Sequence, residues 1–330
     1  MTAAAVALGL YMRRVNEYAA AIEAIERLGG KVTYDYQDRD SAPRFPWLRD
    51  WIDDRFASRV VAVKLSETAA TDDDMRHVAT LGSLIRLDID KTTISDEGLA
   101  HVGRLQSLKL LDASHTRITG KGLAHLSGVR DLTWLSLGST PLTDGGSSAI
   151  EQLRDLKTLW LAETNLSSAA LRHLASLEKL ESLNLRSTRV TGPELAALAK
   201  LPKLEILVLA KTPVNDSDLA YLAGSKSLNG LFLFGTQVTD VGIAQLAGMP
   251  KLEGLHMADV KLTLDGVRHL QHLPTLAYLS MDGSELDDTC VPELAKLQQL
   301  REVTLTNSKL TPQGAATLRA QLPNCLIHIE

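Results

Sequence analysis

Three histidines stand 24 residues apart, His77, His101 and His125, and His173 and His269 hold the same place in later copies of that spacing. Imidazoles gathered in this way can hold a metal ion or sense pH. The run Asp72-Asp73-Asp74 offers carboxylates of the kind that ligate a cation. Each feature also has a plainer reading. The histidines lie beside a buried apolar column, Val78, Val102 and Leu126, as a repeated surface residue. The three aspartates suit a helix start, where negative charge meets the positive end of the dipole. The signatures of dedicated catalysis are missing from the sequence: no HExxH, no GxxxxGK(S/T) and no GxSxG. No cofactor, no metal and no enzymatic activity are expected.

A repeat of constant period positions these residues. The string Leu84-x-x-Leu87-x-Ile89-x-x-Thr92-x-Ile94 recurs at Leu108, Leu132, Leu156, Leu180, Leu204, Leu228, Leu252, Leu276 and Leu300, and reaches back to Val60. That makes eleven units of 24 residues over residues 60–323, without insertion. The first three apolar positions of a unit, such as Leu180, Leu183 and Leu185, fit a short strand with its apolar side inward. A Thr column follows, Thr68 to Thr236 and then Val260, Ser284 and Ser308, and its hydroxyls, absent only at Val260, can bond backbone in the turn leaving the strand. Three residues further on, every unit has Thr, Ser, Asn or Asp, from Thr71 to Thr311, which are helix N-cap residues. Asp often comes next, as in Asp96, Asp216 and Asp240, placed to face a helix dipole. Apolar residues at i, i+3 and i+6, such as Leu195, Leu198 and Leu201, then describe about two helical turns. Each unit is therefore strand, turn and short helix, and only stacking buries its apolar face.

The whole pattern LxxLxLxxTx(I/V)TDxGLxxLxxL, complete in Leu228 to Met249, resembles bacterial leucine-rich-repeat proteins of the Thr type. The leader from Ala20 to Gln37 and the stretch from Trp47 to Thr68 are similar to the N-terminal part of that family. The resemblance implies an α/β leucine-rich-repeat solenoid: a right-handed curved superhelix, parallel sheet on its concave face and short helices on its convex face. Members of the family are generally interaction modules, often joined to other domains or to a membrane segment. The motif is specific for fold and says little about a partner.

In that fold, the strand residues between the inward ones point outward from the sheet. Most are small or polar. The exceptions are Trp134, Trp160, Ile206, Val208, Phe232, Phe234, His256 and Tyr278, with Asn184 and Arg186 among them as polar neighbours. Of six Phe, Trp and Tyr residues in the repeats, five lie in these columns, and Tyr221 falls on a helix. Ile206, Val208, Phe232, Phe234 and His256 are expected to form one patch over three strands, and Trp134 with Trp160 a second. Apolar patches in water mark interaction sites. The alternative is that the rings pack on one another. The start of the same face is charged, from Lys64 and Glu67 through Arg86, Asp88 and Asp90 to Arg117.

The flanks divide the chain into residues 1–59, 60–323 and 324–330. Ala3 to Met12 is apolar but half the length of a membrane helix, for which about twenty residues are needed. Two readings stay open for it: the remnant of a membrane anchor whose first half lies upstream, and the start of a long helix. Arg13 to Leu28 reads as an amphipathic helix stopped by Gly29-Gly30, and Lys31 to Tyr36 as a strand. Asp38 to Pro46 reads as a loop, and Pro46 to Phe56 as a short helix. This segment is expected to cap the first repeat, to form a stalk to an anchor, or both. Residues 324–330 are expected to form a cap strand.

The bulk numbers restrict the partner. The net charge is −5 and basic residues are scattered, so no nucleic-acid footprint is expected. No small-molecule substrate is evident either. The two cysteines, Cys290 and Cys325, are too few for paired disulfide caps and favour a reducing compartment. The expected location is the cytoplasm or the cytoplasmic face of a membrane. The expected function is protein recognition on the concave face. The alternative is a structural, self-assembling scaffold attached to the cell envelope.

Overall fold

A computed structural model of the chain describes residues 3–35, 37 and 58–329. The expected loop and helix between Asp38 and Phe56 lie outside the described residues. The chain forms two compact units, residues 1–156 and 157–330.

The first unit opens with α1 (Ala3–Arg27), a single helix that begins ten residues before the helix expected at Arg13. Its Ala21, Ile22, Ala24 and Ile25 are buried, and it packs on the helix Met75–Val78 of the first repeat. The Tyr18 hydroxyl accepts a 2.6 Å hydrogen bond from the Val60 amide, tying helix to strand. Val6, Leu10 and Met12 are exposed on its first half. Next comes β1 (Lys31–Tyr34), antiparallel to β2 (Val60–Lys64). From β2 the strands run parallel through β3 (Arg86–Asp88), β4 (Leu110–Asp112) and β5 (Trp134–Ser136), in chain order.

The second unit continues the pattern with β6 (Thr158–Trp160), β7 (Ser182–Asn184), β8 (Ile206–Val208) and β9 (Gly230–Phe232). It ends with β10 (Gly254–His256), β11 (Tyr278–Ser280), β12 (Glu302–Thr304) and β13 (Leu326–His328). All are parallel and paired in chain order with no register slip. Within both units the repeated Leu, Ile and Val columns are buried, for instance Leu84, Leu87, Ile89 and Ile94, or Leu204, Leu207, Leu209 and Val214.

The turn after each strand is uniform. Thr68, Thr92, Thr116, Thr140, Thr164, Thr188, Thr212 and Thr236 each donate their hydroxyl to the carbonyl three residues back, at 2.5–2.7 Å. The residue before each of these Thr, and before Val260, Ser284 and Ser308 in the same column, takes the left-handed conformation. Non-glycine residues do so at nine of the eleven positions, with φ of 52–62°, and Gly235 and Gly283 occupy the other two. This conformation is unusual for residues with a Cβ. It is sustained because the amide there donates to the next unit, as Lys211 does to Phe234.

The helices vary. Full α-helices occur at Asp96–Val102, Asp216–Leu222 and Leu264–Leu270, while Lys121–Gly128 is a 3₁₀-helix. Side chains of Ser95, Ser167, Asn215, Thr239, Thr263, Asp287 and Thr311 cap their own helices. Against expectation, Thr143 holds the cap position without such a bond, and Thr119 and Thr191 do not hold it. A glycine, Gly120 or Gly192, takes the cap position instead, with positive φ. Those two Thr hydroxyls donate to Asp96 and Asp218.

The Asp column also acts differently from the expectation. Five of these Asp reach the next helix rather than stabilising only their own. Asp216 accepts from the Thr239 amide and hydroxyl and from the Gly242 amide, at 2.6–3.0 Å. Asp72, Asp96, Asp240 and Asp288 make the corresponding bonds to the unit after them. The glycine of the repeat is needed for this approach. A Cβ on Gly98, Gly242, Gly266 or Gly314 would lie 2.0–2.6 Å from an oxygen of the preceding unit's Asp.

Candidate groove on the outward sheet face

Register places the outward residues of the second unit in two parallel rows. One row reads Ile206, Gly230, Gly254, Tyr278 and Glu302. The other reads Val208, Phe232, His256, Ser280 and Thr304. Ile206 is 40% exposed and Tyr278 is 38% exposed, and they stand on either side of the glycine pair. Their strands are three spacings apart, about 14 Å. Between them lies a groove of about 460 Å³, lined also by Phe232, His256, Ser280 and Glu302.

The two glycines make this groove. Neither has positive φ, so backbone conformation does not require them. A Cβ on Gly230 would come no closer than 3.8 Å to any neighbour, and one on Gly254 no closer than 3.6 Å. Packing does not require them either. A glycine inside a strand weakens it and often marks a close approach by something else. Gly230 and Gly254 escaped sequence reasoning because a missing side chain leaves no mark in an apolar pattern. The available signal was two successive glycines in an outward column.

Phe232 and His256 stack face to face, with ring centroids 4.1 Å apart and planes 8° from parallel. The expected patch is therefore partly satisfied by its own rings, as the alternative had it, while Ile206 and Tyr278 stay exposed. Burial pushes the His256 imidazole below its ordinary pKa, against an upward pull from Glu302 and Asp282. Beyond His256 in its row comes Ser280, whose hydroxyl donates to Asp282 at 2.7 Å. Burial raises the Asp282 carboxyl, but hydrogen bonds from Thr306 and Ser280 outweigh it and hold the group below its ordinary value. Glu302 Oε1 meets His328 Nε2 at 3.2 Å. Sequence reasoning did not single out Glu302, although it stands in the same outward column.

The other expected site residues sit elsewhere. Phe234 lies two positions past its strand, where the Arg186 guanidinium stands 5.8 Å from its ring centroid in a cation–π contact. Asn184 accepts from the Arg186 amide at 3.0 Å. Val208 is half-buried on the strand beside Phe232. None of these four lines the groove. Trp160 is 42% exposed at the start of the second unit. Trp134 is half-buried and belongs to the first unit.

The charged end of the first unit is largely self-neutralised. Lys91 pairs with Glu67, and Arg86 with Asp88 at 3.0 Å. Ser66 donates to Asp90 and Ser114 to Asp112. The histidine column assembles no metal centre. Among the described residues no cluster of three His, Cys, Asp or Glu side chains is placed to hold a metal. Burial lowers the pKa of His101, and its Nδ1 is buried with no hydrogen-bond partner among the described residues. Both cysteines are free thiols. Among the described residues no helix is long and apolar enough to cross a membrane.

Comparison with protein-family models and with curated proteins finds no match. Solved structures do match. An internalin (InlF) from Listeria monocytogenes is 19% identical, covers 82% of each chain and superposes with a TM-score of 0.58. The ectodomain of the plant receptor kinase GASSHO1/SCHENGEN3 from Arabidopsis thaliana, solved with CASPARIAN STRIP INTEGRITY FACTOR 2, is 18% identical. It aligns over 86% of this chain and 45% of its own, with a TM-score of 0.49. Internalin C2 from Listeria monocytogenes is 23% identical, over 80% and 85% of the two chains, with a TM-score of 0.39. At these identities only the fold transfers, and the first of the three carries it. Strand, left-handed turn and short helix recur at every 24 residues, with the Thr hydroxyl bond from Thr68 to Thr236, and with that likeness the chain has the leucine-rich-repeat fold.

Proposed function

We propose that the chain is a protein-recognition module and that it binds its partner in the groove between Ile206 and Tyr278. The observation that supports this most is the glycine pair. Gly230 and Gly254 open a groove beside stacked aromatic rings at positions where neither φ nor packing demands glycine. Selection for stability alone favours a residue with a side chain in a strand. A groove lined by Ile, Phe, His and Tyr suits the apolar anchor of a protein partner, since aromatic and aliphatic contacts dominate such hot spots. The same reading places the chain among binding modules without catalysis of its own.

The test is affinity capture from a lysate of cells that make the protein, comparing wild type with a Phe232→Asp, Tyr278→Asp variant. Circular dichroism confirms that both are folded. A partner retained by wild type and lost by the variant is the expected result. Equal retention by both proteins would remove the groove from consideration.

A further inference from the structure

The groove carries more information about its occupant than its apolar lining. We propose, building on the binding-module reading above, that it takes an arginine side chain from an extended segment of the partner. The guanidinium lies on the open face of His256 and pairs with Glu302, and a bulky apolar residue of the same segment covers Gly230 and Gly254.

Phe232 covers one face of the His256 imidazole. The next residue in that row is Ser280 and the one after is Thr304, both too small to cover the other face. A planar group is the natural continuation of a stack of two parallel rings. Charge then selects which planar group. Glu302 is the one carboxylate among the groove-lining residues, and no Lys or Arg is among them. Its Oε1 faces His328, while Oε2 has no hydrogen bond among the described residues. Asp282 lies near enough to influence His256, and the exposed Glu253 before β10 is balanced by the exposed Arg301 before β12. This field disfavours an acidic or phosphorylated peptide and favours a cation. Arginine fits better than lysine. Its fork is planar, stacks on rings and matches a carboxylate with two parallel hydrogen bonds. The remaining space, over the glycines and between Ile206 and Tyr278, is apolar and wide enough for one large side chain.

The experiment uses a phage-displayed library of random peptides selected on the full chain. Selected sequences are counted, and chosen peptides are titrated against wild type, Glu302→Gln and Gly254→Leu. Melting curves confirm that each variant is folded. The proposal expects arginine next to Phe, Trp or Leu in the selected peptides. It expects Glu302→Gln to weaken them about tenfold, the size of a charge-assisted hydrogen bond. Gly254→Leu, which fills the groove, is expected to abolish binding, and replacing the peptide's Arg by Lys to weaken it. Two outcomes overturn the arginine assignment but leave the groove: peptides without arginine enrichment that Gly254→Leu still blocks, and affinity indifferent to Glu302→Gln. Peptides that bind Gly254→Leu as well as wild type overturn the groove reading itself. Failure to enrich any peptide on the wild type also counts against the proposal.

Discussion

A Cβ on Gly122 would lie 2.6 Å from the Asp96 carbonyl oxygen and 2.8 Å from its Cα, and neither backbone atom can move aside cheaply. A Cβ on Gly254 would have its nearest neighbour at 3.6 Å. The same substitution therefore has opposite expected effects. Gly122→Ala is overpacked and is expected to cost ~1–3 kcal/mol. Gly254→Ala is expected to be neutral or to add up to ~0.5–1 kcal/mol, because a strand glycine loses more entropy on folding than alanine. Urea unfolding of both variants checks this, and equal midpoint shifts would contradict it. The contrast shows where sequence reading stops at this scale. Both glycines are legible as glycines, and those after Thr-Asp were legible as a repeated feature. What surrounds each, backbone of the preceding repeat at Gly122 or open groove at Gly254, depends on neighbours in the adjoining repeats.

Among the elements, strand and helix order was legible because burial repeats at a constant period, so each column has one physical task. The N-cap column kept its position except at Thr119 and Thr191, where glycine took the cap, and Thr143 holds the position without a capping bond. The reach of the Asp column into the next unit was not legible, because the dipole argument considers one helix at a time. Asp216 joins one helix to the next through three hydrogen bonds. Asp216→Ala is expected to cost about 1–2 kcal/mol, as loss of a cap does. The loss is expected in the following unit. Hydrogen exchange should rise first at the Thr239 and Gly242 amides, and protection unchanged there would contradict the role. In the candidate site, Ile206, Phe232, His256 and Tyr278 were legible as outward apolar residues, whereas Val208 and Phe234 matched the same pattern but sit outside the groove. Alternation gives the face of a residue but not how its side chain turns.

For the molecule as a whole, proton linkage ties stability to pH through residues in both units. His101 and His256 are each held below their ordinary pKa, chiefly by burial. In the unfolded chain a histidine takes its proton near pH 6.5. Just below about pH 6.5 the unfolded state binds more protons than the folded one, so stability falls as the solution is acidified. Above that range these two residues add no pH dependence. Asp282 acts in the same direction at lower pH, since its carboxyl is held below the ordinary value and its contribution disappears on protonation. Melting temperature is expected to fall from pH 7 to pH 5, and less steeply in a His101→Gln, His256→Gln variant. A slope identical to that of wild type would contradict the assignment. The solenoid itself was the most legible feature, because 24-residue spacing without insertion leaves few alternatives. The N-terminal flank was less so: α1 begins at Ala3, and its apolar start gave no signal separating an anchor from an ordinary helix.

The glycine-floored groove is proposed as the place where a partner binds. Its most direct test is the affinity of a captured partner for wild type and for Gly254→Leu, measured side by side with the melting temperature of each. The account predicts loss of binding by more than about tenfold, as expected when a central hot spot is blocked, with an unchanged melting temperature. Equal affinity for the two proteins would contradict it.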